Sequence, residues 1–147
     1  MAVRQQTLEV ETNIAIDQGL SYLYLSAQPN GQIRPAGSYG ERIAATASAV
    51  NAFEVHGHVP TGDAANNPYI SVVVGGLDWI VGQLQAGDPV VQAGANDPDA
   101  NANGRYLTGG GGQEVYENDV IMDAIVASGS PDRVAAGGPA AGETYLD

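Results

Sequence analysis

Gly19-Leu20-Ser21-Tyr22-Leu23, followed by Gln28-Pro29-Asn30-Gly31-Gln32-Ile33, decides how this chain is read. The first five residues lie in a run from about Leu8 to Ala27. In it Ile16, Leu20, Leu23 and Ala27 recur at i, i+4, i+7 and i+11, one stripe of a 3.6-residue helix. Pro29-Asn30-Gly31 then stops that helix, because proline cannot continue the backbone ladder and Asn-Gly favours a turn. A second helix is predicted from about Gly40 to His56. Ile43, Ala47 and Val50 stand beside Ala49, Ala52 and Phe53 on an Ala-rich face that admits a close neighbour. Gly57 is its C′ stop and Pro60 follows.

The same unit returns further along. A third helix opens at Pro68 behind Asn67 as cap, carries Val73, Leu77, Ile80 and Leu84 at the first helix's spacing, and is expected to close near Gly87. A fourth runs from about Glu114 to Ser128, with Ile121, Ala124, Ile125 and Ser128 on one side and Gly129 then Pro131 as terminators. A shift of 57 residues lays Gly19-Leu20 on Gly76-Leu77, Tyr22 on Trp79, Leu23 on Ile80 and Gln28 on Gln85. A shift of 72 lays Ala52 on Ala124, Phe53 on Ile125, Asn51 on Asp123 and Gly57 on Gly129, so the second unit's central connection is 15 residues longer. A helical hairpin repeated at such a period is the signature of a stacked or closed array, in which each hairpin needs neighbours to bury its apolar face.

These motifs, with Thr46-Ala47-Ser48-Ala49-Val50-Asn51-Ala52-Phe53 and Gly57-His58 closing the first unit, resemble the α/α-toroid repeats of terpenoid cyclases and protein prenyltransferases. There a G-L-x-[WY]-L helix leads through a Q-x-[DN]-G-x-W loop to a T-x-x-A-L-x-A helix. The second unit, from Gly76 to Ile125, looks like a more divergent copy, and the resemblance spans most of residues 8–130. The chain is similar also to prokaryotic, exported proteins carrying this repeat, through Asp97-Pro98-Asp99-Ala100-Asn101-Ala102-Asn103-Gly104 and the ending Gly138-Pro139-Ala140-Ala141-Gly142-Glu143-Thr144-Tyr145. That similarity implies an extracellular or cell-surface location. The catalytic residues of the enzymes do not carry over. The cyclases' D-x-D-D acid meets Asp97-Pro98-Asp99-Ala100, which lacks its last carboxylate, and the zinc site of the prenyltransferases needs a cysteine that this chain does not have. The resemblance therefore implies a fold without the family's known chemistry.

Composition narrows the partners. The 147 residues carry a formal charge of −12 and no cysteine, so a disulfide framework, a thiolate zinc site and a cysteine nucleophile are all absent. All five cations are arginines, at Arg4, Arg34, Arg42, Arg105 and Arg133, too scattered to make the basic stripe that nucleic acid or an anionic membrane requires. No apolar run approaches the roughly 18 to 20 residues of a membrane span.

Candidate sites are few. Asp97, Asp99, Asn101 and Asn103 alternate, as the first ligands of a calcium loop do, and Glu114 or Glu117 would close the shell. The EF-hand pattern is not met, since counting from Asp97 puts Ala102 at the glycine position and counting from Asp99 puts Gly110 at the closing acid. A solvated loop of Asx turns is the preferred alternative. Tyr22, Trp79, Tyr106 and Tyr116 are candidate aromatics for a glycan or terpene groove, although Tyr22 and Trp79, at equivalent repeat positions, read more often as packing residues with polar tips at the rim. His56 and His58 end the second helix, where a structural role fits better than a metal site because i and i+2 point apart. Gly109-Gly110-Gly111-Gly112 reads as a hinge, without the lysine of a P-loop. Residues 87–112 form a connection of about 26 residues, longer than structureless loops usually run, and Asp88-Pro89-Val90-Val91-Gln92-Ala93 within it could pair as a strand with another subunit.

The expectation is an all-α protein of two consecutive helical hairpins of toroid or solenoid type, joined by long Gly/Asn/Asp-rich connections. It forms a single domain, 1–147, with unit one over about 8–60, unit two over about 68–130 and a tail at 131–147. Arrays of this kind generally need about three or more units, so the missing contacts are expected from other chains or from a longer parent. The leading functional expectation is a non-catalytic subunit that assembles into a homo-oligomer, layer or filament. A calcium- or glycan-binding module, and a fragment of a cyclase-like or polysaccharide-lyase-like enzyme, are the alternatives. No cofactor other than calcium is implied.

Overall fold

The computed structural model describes residues 2–33, 39–86, 104–106 and 114–146, and over these the chain is all-α. Its helices are α1 (Ala2–Ser26), α2 (Tyr39–Val55), α3 (Tyr69–Val81) and α4 (Glu114–Ala127). A two-residue antiparallel ladder, β1 (Gln85–Ala86) on β2 (Arg105–Tyr106), lies between α3 and α4 in sequence and pairs Gln85 with Tyr106 and Ala86 with Arg105.

Local chemistry accounts for most of the helix ends. Gly57 has φ +84°, its N–H bonds the Glu54 carbonyl at 2.9 Å, and the His58 N–H bonds the Phe53 carbonyl at 3.0 Å. These are the two crossed bonds of a Schellman cap, which a residue with a Cβ closes at a steric cost. Gly129, the equivalent glycine of the second unit, likewise has positive φ and bonds the Val126 carbonyl at 3.1 Å. At the start of α3, the Asn67 carboxamide oxygen accepts the Tyr69 N–H at 3.2 Å while Pro68 already holds helical angles, φ −63° and ψ −20°.

Two boundaries differ from expectation. α1 begins at Ala2 rather than near Leu8, and α3 ends at Val81 rather than near Gly87. At the end of α3 the chain tightens into three-residue bonds, Gln83 N–H to the Ile80 carbonyl and Leu84 N–H to that of Val81. The C-terminal segment then crosses it so closely that a Cβ on Gly138 would lie 2.6 Å from the Gly82 carbonyl oxygen. Leu84 still packs on the core, but from beyond the helix.

The core lies between α2, α3 and α4, where Ile43, Val50, Phe53, Val73, Leu77 and Ile80 are fully buried. Each contributes about 1.5–3 kcal/mol by leaving water. α2 and α3 run antiparallel: the Phe53 ring sits 5.1 Å from that of Tyr69, and one to two helical turns away Val50 meets Gly76. α2 and α4 lie side by side with their C-terminal ends together, so that Pro60 and Thr61 share a cleft with residues 129–134. The turn after α1 is pinned to both neighbours. The Thr46 hydroxyl accepts the Ile33 N–H at 3.3 Å and donates to the Arg42 carbonyl, and Gly31, at φ +92°, approaches the Gly75 backbone too closely for any side chain.

α1 is different from the other helices. Between Thr7 and Gly19 every residue but Ile16 is exposed, and only Leu20 is buried in the helix's C-terminal part. The segment after α4 folds back: Val134 bridges Thr144, and Ala135 and Ala140 bury a small second core with Val81. What reads in the sequence as a tail is thus docked on unit two.

Candidate functional site

Two features of the described residues carry chemistry. The first is a polar region in which the C-terminal segment pairs with the last turn of α3 and, through Tyr145, lies within electrostatic reach of the last turn of α2. Glu54 falls on the stripe Ile43, Ala47, Val50, Glu54, with helical spacing i, i+4, i+7, i+11, so the fold that buries the three apolar members carries the carboxylate inward with them. It is buried, and among the described residues neither carboxylate oxygen has a hydrogen-bond partner. Loss of solvent disfavours the anion and pushes its pKa up to about 8.

Beside it stand groups that are paired. Arg133 donates through Nη2 to Asp78 Oδ1 at 2.8 Å and through Nε to the Tyr145 hydroxyl at 3.3 Å. Burial pushes the Tyr145 phenol up, the Arg133 bond works the other way, and the charges of Asp78 and Glu54 add to the rise. The region can therefore hold a proton on Glu54 near neutral pH, the kind of perturbed group often found at functional centres. Yet Glu54 is not among the residues lining the neighbouring cleft of Pro60, Thr61, Ser130, Arg133 and Val134, so no substrate path to the proton is visible there. A second carboxylate, Glu117 at the start of α4, is buried, and its Oε2 has no hydrogen-bond partner among the described residues.

The second feature is a pair of uncovered helix faces. On α1, Ile14, Asp17, Gln18, Ser21, Tyr22 and Leu25 line a shallow groove. On α4, Val115, Tyr116, Met122 and Val126 are exposed.

The sequence-derived site residues distribute as follows. Asp97, Asp99, Asn101 and Asn103 lie outside the described residues, as do the Gly109–Gly112 run, the 88–93 segment and most of the 87–112 connection. Tyr106 belongs to β2 by its backbone, and its side chain lies outside what is described. Tyr22 is 71% exposed, against the packing role expected from its repeat position; Trp79 does pack, half-buried, against the core. The difference has a cause: the turn at Pro29-Asn30-Gly31 lies against Trp79, and no described segment occupies the matching position over Tyr22. Tyr22, Trp79 and Tyr116 sit on three different helices, and Tyr22 and Trp79 line separate clefts. Of the histidines, His58 bonds the Asn67 carboxamide at 3.0 Å and packs edge-on against Tyr69, whereas His56 is exposed. Among the described residues no group of three acids or histidines stands close enough to hold a metal ion, and no helix is long and apolar enough to cross a membrane.

Glu54 was not singled out from sequence, and Glu117 was named only as a closing ligand of the calcium loop, whose Asp and Asn members lie outside the described residues. The available signal was the helical stripe itself, which places Glu54 in line with Ile43, Ala47 and Val50. No protein-family model, no curated protein and no solved structure matches the chain.

Proposed function

We propose that this protein is a non-catalytic structural subunit, built from two helical hairpins of the α/α-toroid type, that assembles with other copies into an oligomer, layer or filament. The observation that carries the reading is α1: from Thr7 to Ser26, where its side chains are described, Leu20 alone is buried, and Leu8, Val10, Ile14, Tyr22 and Leu25 are all half or more exposed. A helix this sparsely packed gains little from its own chain, and exposed apolar surface of this extent marks an interaction site. The repeat arithmetic supports the same view, since hairpins of this kind bury their apolar sides against neighbours.

Sedimentation velocity from about 1 to 100 μM in half-molar salt tests it. Association that grows with concentration is expected, with ordered particles in electron micrographs. A monodisperse monomer throughout that range would overturn the proposal.

A further inference from the structure

The chain contains its own docking template. With the 72-residue shift, Ile43, Ala44, Ala47, Val50 and Glu54 of α2 correspond to Val115, Tyr116, Asp119, Met122 and Val126 of α4. All five α2 residues are buried, and Ile43, Ala47 and Val50 belong to the core shared with α3 and α4. All five α4 residues are exposed, Met122 at 61% and Val126 at 69%. The two helices differ here because α2 has a following hairpin to cover this stripe and α4 has none among the described residues.

The complementary half of the template lies on α1. In α3, Gly76 receives Val50: a Cβ on Gly76 would stand 2.4 Å from Val50 Cγ2. Its equivalent in α1 by the 57-residue shift is Gly19, where a Cβ would meet nothing within 4 Å. The α1 groove tells the same story. Its residues Gln18, Ser21, Tyr22 and Leu25 correspond to Gly75, Asp78, Trp79 and Gly82, which on α3 share a cleft with the turn at Pro29, Asn30 and Gly31. So one end of the molecule presents the Val50-like stripe without its acceptor, and the other presents the Gly76-like acceptor without its stripe.

We infer that the occupant of each face is a second copy of this chain, the α4 stripe of one copy seating on the α1 face of the next with Met122 over Gly19 as Val50 sits over Gly76. This rests on the assembling-subunit reading and specifies its contact. The interface is heterologous, so it propagates head to tail, closing into a ring or running on as a filament according to the rotation per step.

Because the chain has no cysteine, the contact can be trapped. Gly19→Cys and Met122→Cys are made in separate preparations, mixed and oxidised, with Gly19→Cys plus Val55→Cys as the control mixture. The Gly76–Val50 approach is close enough that an equivalent pair meets the short Cβ–Cβ separation a disulfide needs. The Gly19/Met122 mixture is expected to yield at least about 10-fold more linked dimer than the control. In parallel, Gly19→Phe, whose side chain enters open space in the isolated chain, is expected to keep the circular dichroism and melting temperature while weakening association about 10- to 100-fold. If the unmodified protein associates but Gly19→Phe associates equally well and the linked dimer stays at the control level, this interface is overturned and the assembly reading survives. If the unmodified protein stays monomeric at every concentration and salt, both fall.

Discussion

Gly76 of α3 and Val50 of α2 are in contact at a point where one further carbon would collide, the position of a Cβ lying 2.4 Å from Val50 Cγ2. Gly19, at the equivalent position of α1, has open space instead. Alanine at the two sites should therefore act in opposite directions. Gly76→Ala forces α2 and α3 apart and is expected to destabilise by about 1–3 kcal/mol, because overpacking outweighs the gain in helix propensity. Gly19→Ala is expected to stabilise by about 0.5–1 kcal/mol in dilute solution, where only helix propensity changes. Urea melts of both variants at low ionic strength read the pair, and a Gly76→Ala protein as stable as the parent would contradict the packing.

That contrast shows what a sequence of this kind can and cannot convey. Helical periodicity and the glycine stops are local, so α2, α4 and the caps at Gly57 and Gly129 were legible to within a residue. The early end of α3 was not. It depends on Gly138, 56 residues away, lying against Gly82, and no local pattern reports such a contact. The placement of Tyr22 escaped for a related reason: its repeat position predicts packing, but packing also needs a neighbouring turn, which Trp79 has and Tyr22 lacks. Glu54 is visible in the sequence as a member of the apolar stripe, but a glutamate is seldom buried, so residue type points to the surface where position points to the core.

Glu54 gives the fold a pH dependence of definite sign. Its carboxyl has a folded-state pKa near 8 and an ordinary value of 4.5, so between these limits the native state holds the proton more tightly than the unfolded chain. Stability is then fully present below about pH 4.5, falls as pH rises towards 8, and levels off above it, a loss of at most about 5 kcal/mol. Burial alone sets this shift; the Tyr145 phenol, itself pushed above its ordinary value, stays neutral throughout the window, and the Arg133 cation is already engaged by Asp78 and Tyr145. Glu54→Gln keeps the shape without the titration, so its melting temperature is expected to stay flat from pH 5 to 8 while that of the parent declines. Parallel curves for the two proteins would remove Glu54 as the cause.

The C-terminal segment should loosen when its clasp is cut. Arg133 ties that segment to α3 through Asp78 and to itself through Tyr145, and both charged side chains are about three-quarters buried. Arg133→Met is expected to cost about 1 kcal/mol, since a partly screened pair with one further hydrogen bond is worth little more. The effect should be local. Exchange of the Ala135 and Tyr145 amide protons, which bond the Glu143 and Arg133 carbonyls, is expected to quicken about 5-fold while the amides of α2 and α3 keep their rates. Tyr145→Phe, which removes the phenol and leaves the ion pair, should show a smaller change.

Association should depend on salt in a direction set by charge. The molecule carries −12 overall, and the two faces inferred to meet each include acids, Asp17 beside the α1 groove and Asp119 within the α4 stripe. Like charges brought together oppose association most at about 0.01 M salt, where the screening length is about 30 Å, and least at about 1 M, where it is about 3 Å. The apolar contribution of Val115, Met122 and Val126 is not weakened by salt, so screening leaves it to dominate. Raising sodium chloride over that range is expected to tighten association by at least about 10-fold, and a few millimolar magnesium or calcium, able to bridge carboxylates between copies, should do the same at far lower ionic strength. Asp119→Asn should reduce the salt dependence without abolishing association. Association that weakens with salt would mean that attraction between opposite charges holds the copies together, and the apolar stripe on α4 would then not be the contact.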